Sequence, residues 1–88
     1  MSDLDKLRQQ IDTIDSELLQ VLAKRMEVVD RLGAYKKANG LELRDNGRFR
    51  ELLADRLDQA VKLGLSEAFI TELYGLVHKA SLEREAGA

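Results

Sequence analysis

The chain of 88 residues has no cysteine, no proline and one histidine, His78. Without cysteine there is no disulfide and no thiolate metal site. The lone histidine stands in no HxxxH or HExxH spacing, so no structural or catalytic metal is expected. Without proline, nothing in the chain blocks helix propagation sterically. No apolar run approaches the ~20 residues needed to span a bilayer. The net charge is −2, which supplies no global basic field for nucleic acid or a membrane surface. The opening MSDLDKLRQQ is polar and acidic, unlike a secretory signal. These absences predict a cytoplasmic protein with neither nucleic acid nor membrane as partner.

What is present is a small, helix-rich domain. Residues 1–88 form one domain at most. A chain this short buries proportionally little surface and is marginal alone. With disulfides and metals excluded, oligomerisation is the remaining support.

Helix formers dominate and no period-two alternation stands out, so the pattern predicts three amphipathic helices and an all-α fold. The first segment runs from about Leu4 to Lys37. Its seam is Leu4, Leu7, Ile11, Ile14, Leu18, Val21, Arg25, Val28, Leu32 and Tyr35, a heptad run with one cation set into it. Leu19, Leu22, Met26 and Val29 widen the apolar stripe. Ser2 or Asp3 caps the start, and Asn39-Gly40 ends it. Gly33 inside the helix suggests close packing. The second segment runs from Asp45 or Arg48 to Leu63, stopped by Gly64. The third is capped by Ser66 and carries Phe69, Ile70, Leu73, Leu76, Val77, Ala80 and Leu82, with a tail from about residue 84 that is expected to fray. The first helix, at about 34 residues, would be ~50 Å long and the others about half that. Folding the short helices back leaves much of the long stripe bare. A second copy covers it by symmetry, which predicts an entwined homodimer.

Arg25 occupies a seam position where a hydrophobe is expected. Burying a guanidinium without a partner costs several kcal/mol, so an acid or a ligand anion must meet it. Eleven residues on, Lys36 returns to within ~20° of the same direction, ~16 Å along the axis. The two side chains can converge on one ligand. Arg8 is ~25 Å from Arg25 and ~100° around the helix, so the two cannot grip one small molecule from the same chain. In an antiparallel dimer, Arg8 of one copy approaches Arg25 and Lys36 of the other. Against this stands the plainer reading, in which Arg25 pairs with a core acid or reaches solvent. Periodicity alone supports a helical dimer with an anion pocket as one option.

The stretch LDKLRQQIDTIDSELLQVLAKRMEVVDRLGAYKKANG carries the pattern LRxxIDxIDxxLLxxLAxRxxxxxxxGxxK. This resembles the N-terminal helix of the all-α chorismate mutases. LELRDNGRFRELLADRL resembles their loop and second helix, and GLSEAFITELYGLVHKASLERE their third, so the likeness covers about residues 4 to 85.

The resemblance implies a substrate, chorismate, with two carboxylates, a ring hydroxyl and an enolpyruvyl ether. It implies roles too. Arg8 from the partner chain and Arg25 would bind the carboxylates. Lys36 would donate to the ether oxygen and the neighbouring carboxylate. Asp45 would meet the ring hydroxyl, Arg48 would add a cation near a carboxylate, and Ser81 would contact the ring carboxylate side. Glu85 matches a second donor to the ether oxygen. Arg forks match carboxylates bidentately. The Claisen rearrangement to prephenate is unimolecular and needs no cofactor, so positioning and charge stabilisation carry the catalysis.

Two positions depart from the family pattern. Many members carry Gln where Glu85 stands. An ionised carboxylate cannot donate, so Glu85 is expected to act only when neutral, with activity falling as pH rises. Many members carry Glu where Phe49 stands; Phe49 is expected to be core, leaving the hydroxyl to Asp45 and backbone groups. His78 is expected to have a packing or surface role. Two other readings compete. One is isochorismate-pyruvate lyase on the same fold. The other is a non-catalytic helical dimerisation or regulatory module.

Overall fold

A computed structural model describes residues 2–87. Three helices follow one another: α1 (Asp3–Ala38), α2 (Asn46–Lys62) and α3 (Glu67–Gly87). Among the described residues there is no strand.

The helix ends are set by local chemistry. Ser2 Oγ accepts from Asp5 N at 3.1 Å, Asp45 Oδ1 from Arg48 N at 3.0 Å, and Ser66 Oγ from Phe69 N at 3.1 Å. Each satisfies an otherwise orphaned first-turn amide. α1 and α2 both close with a Schellman motif. Gly40 (φ 65°) and Gly64 (φ 75°) take the left-handed conformation that a Cβ disfavours. Leu41 N then reaches back to Lys36 O, and Leu65 N to Ala60 O, each at 2.8 Å.

α1 packs on α3, and α3 on α2. The stripe of α1 turned inward is Leu22, Met26, Val29 and Gly33, of which Val29 and Gly33 are buried. The close packing expected at Gly33 is there. The first half of α1 lies outside the core: residues 2–21 are all exposed. So are the seam residues Leu7, Ile11, Ile14, Leu18, Val28 and Tyr35, each more than half exposed. Only Val29, Ala60, Ile70 and Val77 are buried apolar residues among those described.

The chain is therefore elongated, 57 × 25 × 15 Å, with a radius of gyration of 16.4 Å. A compact chain of this length would have about 12 Å. It exposes 6945 Å², against about 5,200 Å² for a compact monomer of its mass.

The end of the chain corrects the sequence expectation. The tail does not fray at residue 84; α3 continues to Gly87. Arg84 Nε and Nη2 donate to the two carboxylate oxygens of Asp30 on α1 at 2.8 and 2.7 Å. That bidentate bond holds the Asp30 carboxyl below its ordinary range and Arg84 above its own. With Asp30 depressed, the contribution is present at neutral pH and is lost as pH falls through the lowered value. Glu85, the next residue, faces inward and is buried. A run of charged residues reads as solvent-facing only until a partner helix supplies the opposite charges.

Candidate active site

The C-terminal half of α1, the first two turns of α2 and the last turns of α3 enclose a cavity of about 380 Å³, within the range of small-molecule sites. α1 contributes Arg25 and Lys36 to its wall, α2 begins it with Asp45 and Arg48, and α3 contributes Ser81 and Glu85. Six of the seven residues singled out in the sequence thus meet around one space.

Arg25 is half-buried. Its Nη1 donates to Ser81 Oγ at 2.7 Å, and that hydroxyl in turn donates to Val77 O at 2.7 Å. Among the described residues Arg25 has no acidic partner, so its charge is met only by a neutral hydroxyl. The plainer reading, a core acid paired with Arg25, is not what the chain builds.

Lys36 is anchored differently. Its Nζ donates to Leu43 O at 2.8 Å and lies 2.7 Å from Glu85 Oε1. Side-chain exposures of 16% for Lys36 and 6% for Glu85 make this a buried pair. The approach lies outside hydrogen-bond geometry, so Oε1 is charge-compensated yet receives no aimed N–H. A buried carboxylate oxygen left this way is open to a better-placed partner. Glu85 is thus buried rather than exposed.

Asp45 serves first as the N-cap of α2, and its carboxylate borders the cavity as well. Arg48 borders the cavity while exposed to solvent. The wall therefore carries three cations and two carboxylates, one net positive charge if both acids are ionised. Arg8 is the exception among the sequence candidates. It lies on the free half of α1, exposed, and takes no part in this chain's own cavity.

The alignment of the whole chain with known proteins now bears on this geometry. Residues 7–86 match the family model described as chorismate mutase type II. The chain belongs to the type II chorismate mutase family. It is 35% identical over 85 residues to a T-protein of Enterobacter agglomerans, covering 97% of this chain and 23% of that protein. It is 31% identical over 77 residues to a 4-amino-4-deoxychorismate mutase of Streptomyces venezuelae, covering 86% of this chain and 74% of that protein. A bifunctional chorismate mutase/prephenate dehydratase of Buchnera aphidicola is 32% identical over 81 residues, 92% of this chain and 21% of that protein. The chain spans less than a quarter of the T-protein it matches.

Two further wall residues of this type II chorismate mutase domain were read from the sequence as core (Phe49) and as packing or surface (His78). Phe49 is half-buried and, rather than filling the core, lines the cavity. His78 lies flat against it, with ring centroids 4.0 Å apart and planes 21° apart. The signal for His78 was available. His78, Ser81, Leu82 and Glu85 fall at i, i+3, i+4 and i+7, one stripe of α3. Choosing Ser81 and Glu85 from that stripe brings His78 with them. Leu43 was not legible, because it acts through its carbonyl.

Proposed function

We propose that the chain is a chorismate mutase, converting chorismate to prephenate in a cavity completed by a second copy of itself. One observation carries the reading: Arg25, half-buried beside a cavity, has a neutral hydroxyl as its only partner among the described residues. A cation kept in that state is poised for an anion that arrives from outside.

The surface supports the second copy. The protomer exposes about 1,700 Å² more than a compact chain would, the scale that obligate dimers bury per subunit. The uncovered seam of α1 is the surface such a partner would cover.

The chemistry then follows from the wall. Arg25, Arg48 and the partner's Arg8 hold the carboxylates. This fixes the enolpyruvyl group over the ring, the geometry in which the new carbon–carbon bond forms. As the ether C–O bond breaks, negative charge grows on its oxygen. Lys36, tied to Leu43 O, is already in place to stabilise it without rearrangement. The substrate displaces the loose Lys36–Glu85 contact, and Glu85 faces the same oxygen. Protonated, it donates there; ionised, it repels the developing charge.

The Glu85→Gln variant, whose amide can donate to that oxygen, should turn over chorismate at least as fast as the wild type. Steady-state rates of the two proteins check this, and a variant slower by about tenfold or more removes the donor role from Glu85.

The reading as a whole is tested by offering chorismate and isochorismate separately and identifying the product. Prephenate from chorismate supports it. Pyruvate released from isochorismate, with chorismate untouched, makes the chain a lyase. Binding of either without turnover makes it a regulatory module.

A further inference from the structure

The stripe of α3 that floors the cavity carries three polar side chains in helical order, His78, Ser81 and Glu85. They span ~10 Å along the axis. Two of them are engaged: Ser81 receives Arg25, and Glu85 lies against Lys36. His78 has no hydrogen bond or ion pair among the described residues, and its ring lies against Phe49. The imidazole is half-buried, borders the cavity, and is held flat by a rigid neighbour. With Phe49 it also borders an outer groove flanked by Arg44 and Lys79, so the stacked pair partitions cavity from groove.

A ligand with two carboxylates places them on the cations, and its ether oxygen on Lys36. Its remaining polar group, the ring hydroxyl, must lie against what is left of the wall. Phe49 offers it no hydrogen bond. Asp45 Oδ1 caps Arg48 N, which leaves its other oxygen to accept from the hydroxyl but gives the hydroxyl's own lone pairs no donor. His78 is the polar wall residue without a polar partner among the described residues, and an imidazole nitrogen can donate to a hydroxyl or accept from it. We propose that His78, oriented by its stack on Phe49, is a specificity-determining residue that recognises the ring hydroxyl of the substrate. This rests on the chorismate mutase reading.

Stacking makes the arrangement effective. A free histidine side chain loses rotamer entropy when it binds; one already pinned between helices loses little. Phe49 is thus a positioning residue, and His78 makes the contact.

The test compares the wild type with His78→Phe, which keeps a ring on Phe49 but has no nitrogen, and with His78→Asn, which restores a short donor and acceptor. Each is assayed on chorismate and on its 4-deoxy analogue, which lacks the ring hydroxyl. His78→Phe should lose about tenfold in kcat/KM on chorismate, mostly through KM, and nothing on the analogue. His78→Asn, which has a donor and an acceptor but no ring to stack on Phe49, should recover part of that loss. Equal losses on both substrates would make His78 a mere wall, and no loss on chorismate would overturn the inference outright, with the mutase reading standing in either case. A wild type that consumes neither substrate would remove that reading, and this inference with it.

Discussion

Replacing Arg25 with alanine should lower kcat/KM for chorismate by about a thousandfold or more and leave the fold intact. Both halves of that expectation come from the same geometry. Arg25 donates one hydrogen bond, to a hydroxyl that in turn donates to Val77 O. Removing it therefore leaves Ser81 satisfied and strands no buried acid. Removing a half-buried cation with no acidic partner costs the fold little. The substrate, however, loses a bidentate carboxylate partner inside a low-dielectric space, where such contacts are strongest. Arg25→Lys should be intermediate in rate, since an ammonium keeps the charge without the fork. Chorismate consumption and thermal melting by circular dichroism, measured on the same samples, check the pair of outcomes. A collapse of the melting point alongside activity would show instead that Arg25 holds the helices together.

The second large effect is a recovery. Arg8→Ala and Arg25→Ala, each alone, should be nearly inactive. Unfolded together in equal amounts and refolded, they should regain about a quarter of wild-type activity. If Arg8 serves the partner's site, a mixed dimer collects both lesions in one site and leaves the other whole. Random assortment makes half of all dimers mixed, each with one intact site of two. If Arg8 served its own chain, every site would keep one lesion and mixing would recover nothing. The exposed position of Arg8, on the half of α1 that lies outside the chain's own core and cavity, is what makes the trans arrangement the expected one.

Much of this was legible in the sequence, for identifiable reasons. Helix termini follow from short-range chemistry, so Ser66, Gly40 and Gly64 marked their boundaries directly. Arg25 stood out because a cation in an apolar seam breaks a rule that most of the chain obeys. Other features depend on which element lies opposite, and a single chain's periodicity does not carry that. The seam counted as core lies largely bare in the protomer, while α3 takes the adjoining stripe through Val29 and Gly33. The end of α3 looked like a solvated tail because its charges were judged without Asp30 and Lys36 across from them. His78 was weighed as an isolated histidine, and its meaning comes from Phe49, nearly thirty residues earlier in the chain.

The most direct measurement follows mass and turnover in one experiment. The protein is passed through a sizing column with light scattering, and each fraction is given chorismate. Prephenate formation should follow a single peak at about twice the 9.9 kDa of the chain. A well-folded helical monomer at 9.9 kDa that turns over chorismate at full rate would contradict the account, because its own cavity would then suffice without the second copy's Arg8.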